Sequence, residues 1–181
     1  DIGGVCDFST LLSAATNGSL HCVKFLVENK CPGLASGFEK LLQEASNGGH
    51  LSVVQYLWDT CMDLRTATSE HRVCISAATH SHVHLLQFAH SRSFKCLASP
   101  PFSAVGIMAE AAYHKSIPSL EYLYSIGQEA NMSVFSSAAP SGDIPTMQFL
   151  LNRNCPVNAG NHIAGYMHVG NWVSSFSAIQ V

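Results

Sequence analysis

LLSAATNGSLHCVKFLV, residues 11–27, is a pattern that the chain writes five times. Residues 41–58 read LLQEASNGGHLSVVQYLW, the same phrase with one extra glycine. Residues 74–90 read CISAATHSHVHLLQFAH, residues 108–124 read MAEAAYHKSIPSLEYLY, and residues 135–151 read FSSAAPSGDIPTMQFLL. The aromatic of the second half falls at Phe25, Tyr56, Phe88, Tyr122 and Phe149, in steps of 31, 32, 34 and 27. A period near 31 is that of a repeat built from two helices, where each unit buries its apolar face only by stacking on its neighbours. The short last step implies a trimmed connection before the fifth unit.

Each unit reads as helix, tight turn, helix. Leu11, Ala14 and Ala15 share one face at helical spacing, and the alanines return as Ala45, Ala77/Ala78, Ala111/Ala112 and Ala138/Ala139. Small side chains at a fixed helical position let a neighbouring helix come close. Gly18, Gly48 and Gly142 are expected to end the first helices in a left-handed conformation. Ser19, Ser116 and Asp143 follow as expected N-caps of the second helices, with Pro118 and Pro145 in the first turn. Ser81 and Lys115 stand where the turn glycine belongs, at about 1 kcal/mol of strain each. Pro140 should shorten the helix that precedes it. The pattern predicts helix pairs over 8–29, 38–60, 71–92, 105–126 and 132–153, with the five aromatics in one row of the second-helix layer.

The stretch Ser9–Pro32, STLLSAATNGSLHCVKFLVENKCP, resembles the ankyrin repeat, with Leu11, Ala14, Ala15, Gly18, Val23, Phe25 and Leu26 in matching places. The endings ENKCP (Glu28–Pro32) and NRNCP (Asn152–Pro156) resemble the Cys-Pro close of divergent ankyrin repeats found in protists and giant viruses. No unit keeps the Thr-Pro-Leu-His opening, so the buried hydrogen-bonding role of that histidine is missing. The resemblance implies an all-α, ankyrin-like solenoid of about five repeats (8–37, 38–70, 71–104, 105–131 and 132–161), with a degenerate end segment at 162–181. It implies a non-catalytic protein–protein interaction scaffold. Recognition would use the exposed first-helix positions Ser13, Thr16, Gln43, Ser76, Thr79, Glu110, Tyr113 and Ser137. The loops near 33–37, 62–70, 96–104, 128–133 and 157–162 would flank them, and Tyr113 would be the aromatic anchor.

Composition adds constraints. The chain has 181 residues and is 47% hydrophobic, enough for one domain with a core and unlike a disordered chain. Charged residues make up 12%, about half the usual ~25%. With nine basic and twelve acidic residues the net charge is −3, which argues against a basic face for nucleic acid. So sparse a charge fits either a surface partly covered by partners or one rich in Ser, Asn and His. Two functional classes follow: a fixed subunit of a larger assembly, which the low charge and apolar loops favour, and a transient adaptor of the substrate-receptor type. No charged residue follows Arg153, and the closing segment carries Tyr166, Trp172 and Phe176 among other apolar residues. These three join the expected partner-binding set. No apolar run reaches the ~18 residues of a membrane span, and no signal-peptide pattern opens the chain. Beginning at Asp1, it reads as a processed product or part of a longer chain.

The seven cysteines are odd in number and form no C-x-x-C pair, which reads as free thiols in an intracellular reducing compartment. Nucleophile-elbow, phosphate-loop and H-E-x-x-H motifs are absent, so no catalytic residues and no cofactor are expected. The sharpest cluster is His80, His82 and His84 in THSHVH, a distant candidate for metal binding. In the repeat register the three rings span a turn and are expected to fan outward without sharing a metal.

Overall fold

The structure is a computed structural model that describes residues 7–97 and 104–157. Among these residues there are ten α-helices and no strand. They run α1 (Phe8–Thr16), α2 (Leu20–Glu28), α3 (Leu34–Asn47), α4 (Leu51–Thr60), α5 (Ala67–Thr79), α6 (Val83–Ser91), α7 (Val105–Tyr113), α8 (Ile117–Ser125), α9 (Met132–Ala138) and α10 (Ile144–Asn152). Odd-numbered helices pack on the odd-numbered helices before and after them, and each also packs on the helix that follows it. The repeated alanines sit in the first of these contacts: Ala15, Ala45, Ala77, Ala78, Ala111, Ala112 and Ala138 are all fully buried.

The corner inside each pair is built the same way. After α1, the Ser19 N–H donates to the Ala14 carbonyl at 2.9 Å and the Gly18 N–H to Ala15 at 3.1 Å. The same pair of bonds joins His50 to Ala45, His82 to Ala77 and Ser116 to Ala111, at 2.8–2.9 Å. This closure requires a left-handed residue just before its outer donor. That residue is Gly18, Gly49, Ser81 or Lys115, with φ between 61° and 70°. Ser81 and Lys115 therefore take the strained conformation expected of them. Gly48, by contrast, is right-handed with φ −79°, and the extra glycine, Gly49, makes the turn. A matching closure ends α2, α6, α8 and α10, with Lys30, Ser93, Gly127 and Asn154 left-handed.

Some boundaries shift. α3 begins at Leu34, after a left-handed Gly33, and so takes in most of the stretch expected to be the 33–37 loop. α5 begins at Ala67 because Thr66 and Ser69 form a reciprocal capping box; before it the 62–70 stretch holds a 3-10 turn, Met62–Leu64. Pro140 does cut α9 to 7 residues. Ser19 and Ser116 occupy the N-cap positions of α2 and α8, but neither side chain caps; Asp143 does, accepting from the Thr146 N–H at 3.0 Å.

The aromatic row is less buried than its apolar character suggests. Phe88 is 6% exposed, Tyr56, Tyr122 and Phe149 are half-buried, and Phe25 is 55% exposed. The buried row lies one residue further on, at Leu26, Leu57, Ala89, Leu123 and Leu150. From their outer station three of the rings lean on the preceding pair. Tyr56 lies under Lys24, Tyr122 meets His90 and Phe149 meets Tyr124. Phe25, in the first pair, has no such neighbour among the described residues and stands out in solvent.

Candidate interaction surface

Counting back from each left-handed corner residue puts the first helices in common register. Five residues before it stand Ser13, Glu44, Ser76, Glu110 and Ser137; two before it stand Thr16, Asn47, Thr79, Tyr113 and Pro140. Ser13, Thr16, Glu110 and Tyr113 are exposed, Tyr113 by 50%. Ser137 and Thr79 are half-buried.

Two expected contact residues need correction. Ser76 is only 4% exposed, because α5 is packed by α3, α6, α7 and α8, and its carbonyl accepts from His80 Nδ1 at 3.0 Å. Gln43 is one residue out of register, since the extra glycine moves Glu44 into the shared position. Gln43 is half-buried, and its Oε1 accepts from Arg72 Nη1 at 2.7 Å. Arg72 also pairs with Glu39 at 3.4 Å. Together with Ser36, Lys40 and Glu44 these side chains line an open groove of about 450 Å³ between α3 and α5. Tyr166, Trp172 and Phe176 lie outside the described residues.

The sequence reading missed how the pairs are joined. The left-handed corner of one pair faces the N-cap residue of the second helix in the next. His50 Nε2 lies 2.9 Å from the Thr16 carbonyl, and His82 Nε2 lies 2.9 Å from the Asn47 carbonyl. A carbonyl only accepts, so both rings carry their proton on Nε2. The glycines make room for the rings: a Cβ on Gly18 would come within 2.4 Å of His50, and one on Gly49 within 2.8 Å of His82. At the next junction both partners are serine, and Ser81 Oγ meets Ser116 Oγ at 2.8 Å. At the last junction the corner is Lys115 and the N-cap is Asp143. The Asp143 carboxyl is held below the usual range first by the Thr146 hydroxyl, with Lys115 adding a smaller pull. Size and charge are thus matched across four successive junctions.

The histidine cluster is part of this joinery. His80 and His84 are exposed and His82 is half-buried; the rings line up rather than splay, His80 stacked on His82 at 5.9 Å and His84 tilted against His82 at 5.7 Å. Each is occupied by a backbone carbonyl, of Ser76, Asn47 and Gly49 respectively. No three His, Cys, Asp or Glu side chains among the described residues converge as a metal site.

The Cys-Pro corners also have a defined task. The Cys31 thiol donates to the carbonyl of Asp7, the N-cap of α1, at 3.3 Å, and Cys155 donates to that of Asn131, the N-cap of α9, at 3.4 Å. Gln128 fills the equivalent place in the fourth pair, accepting from the N–H of Ala104, the N-cap of α7. All three clasps span 24 residues and tie the exit of a pair to its entry.

No described helix is long and apolar enough to cross a membrane. Compared with models of protein families, with curated proteins and with solved structures, the chain matches none.

Proposed function

We propose that the chain is an ankyrin-like stack of five helical hairpins and acts as a non-catalytic protein-binding scaffold, held as a subunit of a larger assembly. The observation that carries this reading is the set of first-helix positions on α1 and α7 that are turned to solvent. Ser13, Thr16, Glu110 and Tyr113 are presented by helices whose opposite faces are fully buried. The corner that ends α1 is held by His50 on the Thr16 carbonyl, and the corner that ends α7 meets Ser81 of the preceding hairpin through Ser116. Short hydroxyl side chains, a carboxylate and a 50% exposed tyrosine are suited to contact with another protein. Two features favour a subunit over a transient adaptor: the 12% charge content and the exposed Phe25, Met62, Met132 and Ile144.

The test is co-purification from the native source with mass spectrometry, comparing the natural chain with Glu110→Ala/Tyr113→Ser. The reading expects a reproducible set of partners that the double variant loses while its helical circular dichroism is unchanged. Partners retained in full by the variant would refute the surface, and a chain recovered alone at native concentration would refute the subunit.

A further inference from the structure

Cys74 and Cys96 stand apart from the other cysteines. Cys74 lies in α5 and is fully buried; Cys96 lies beyond α6, on the turn that leaves the third hairpin, and is half-exposed. Their sulfurs are 2.9 Å apart. The described Cys31 and Cys155 thiols are engaged with carbonyls instead.

The approach is enforced by the residues around Cys96. Phe94 and Leu97, on either side, are each 1% exposed. The Phe94 N–H donates to Ala89 at 3.0 Å and the Leu97 N–H to Phe94 at 2.9 Å. The Lys95 N–H donates to Glu70 Oε2 at 2.9 Å, and Gln128 Nε2 donates to the Leu97 carbonyl at 3.2 Å. Glu70 belongs to α5 and Gln128 to the exit of the fourth hairpin, so the turn is fixed from two sides. Pairing the sulfurs therefore requires no refolding of the turn, only side-chain rotation towards the ~2.05 Å bond of a disulfide.

We propose that Cys74 and Cys96 form an oxidisable dithiol, a modification site that a small peroxide converts to a disulfide and a thiol reductant restores. Access and environment assign the two sulfurs different roles. Burial pushes the Cys74 thiol well above the ordinary range, while its hydrogen bond to Cys96 draws Cys96 down. Cys96, half-exposed and the better thiolate, is the attacking sulfur. It displaces hydroxide from hydrogen peroxide; the O–O bond breaks, water leaves after protonation, and Cys96 becomes a sulfenic acid. Cys74 then attacks the Cys96 sulfur. The S–O bond breaks, and the departing hydroxide takes the Cys74 proton as a second water. Two thiols and one peroxide thus give one disulfide and two waters, with the two electrons accepted by the peroxide. The bond ties the middle of α5 to the exit of its own hairpin, where Cys31 and Cys155 instead reach the N-cap carbonyl ahead of the first helix.

The test uses the full, reduced chain treated with stoichiometric hydrogen peroxide and weighed both before and after alkylation of the unfolded chain. The expected result is an intact mass lower by two hydrogens, two fewer alkylated cysteines, and a digest peptide that joins residues 74 and 96. Dithiothreitol should reverse all three. The oxidised chain should melt about 5 °C higher, because the closed loop restricts the unfolded chain. Cys96→Ser, at a half-exposed site, should keep the helical spectrum and abolish the bridge, whereas Cys22→Ser should not. The proposal is overturned if Cys96 proceeds to a sulfinic acid while Cys74 remains alkylatable. A bridge that joins other cysteines, or a mass loss that survives in Cys96→Ser, overturns it equally. None of these outcomes depends on whether the first-helix row binds a partner.

Discussion

The matching of glycine to histidine across the second junction can be measured as a coupling energy. Gly49 has φ +70°, and a Cβ there would lie 2.8 Å from the His82 ring. Gly49→Ala therefore acts twice. An alanine in the left-handed region costs about 1–2 kcal/mol. The ring must also move, and its bond to the Asn47 carbonyl, 2.9 Å long, is lost for about 1 kcal/mol more. The single variant should lose about 2–3 kcal/mol in total. His82→Ala removes the same bond without touching the corner and should cost about 1 kcal/mol. In the double variant no ring remains to be displaced and the bond is lost only once. The two effects should then sum to about 1 kcal/mol less than additivity demands. Urea denaturation of the four proteins, followed by circular dichroism at 222 nm, closes the cycle. Additivity within about 0.4 kcal/mol would show that corner and ring do not meet, and the junction reasoning would fail. The converse control is Ser81, where the next N-cap is a serine: Ser81→Ala should couple to Ser116→Ala through their 2.8 Å hydroxyl contact and not to any histidine.

Phe88→Ala should cost about 3–5 kcal/mol in urea, since the ring is 6% exposed and packs on Phe94, while Phe25→Ala, at 55% exposure, should change stability by less than about 0.5 kcal/mol; equal losses would overturn the burial pattern. Asp143→Ala removes the one side-chain cap of α10 and should cost about 1 kcal/mol at neutral pH. The Asp143 carboxyl is lowered in the folded state, so its contribution is complete above the unfolded carboxylate pKa and drains away as pH falls through the folded one. A difference between natural and variant chains that persists undiminished at the acid end of that window would contradict the assignment. Burial of Tyr124 pushes its phenol up to about 12, so ultraviolet titration at alkaline pH should show a late tyrosine that disappears in Tyr124→Phe. Its folded pKa is raised, so its contribution to stability is intact below the unfolded value and falls as pH climbs towards the folded one. Loss of the late step on changing Tyr113 instead would refute the placement.

The helical period and the positions of the breaks belong to the sequence, because they depend on local backbone preference. Leu11, Ala14 and Ala15 mark a helical face whatever lies against it, and Pro140 shortens α9 from within its own turn. All-helical pairs at the expected places follow from that. Tertiary structure decided what depends on residues twenty or more positions apart. Gly48 and Gly49 are equivalent until a histidine from the next hairpin must pass over one of them, and the register of Gln43 against Glu44 turns on that choice. Ser76 reads as an exposed serine until α5 is seen to be packed on several sides, which no periodicity within α5 reveals. His80 and His84 are at the surface as the sequence implies, but the engagement of His82 and His84 is hidden from it, because the carbonyls that occupy them belong to α3 and its corner, 35 residues earlier. The aromatic row is apolar enough for a core, yet the packing of the helices gives the interior to Leu26, Leu57, Ala89, Leu123 and Leu150, one residue on. The pairing of Cys74 with Cys96 is set by how Phe94 and Leu97 bury the turn between them, since two thiols meet in space and carry no mark of it in their spacing.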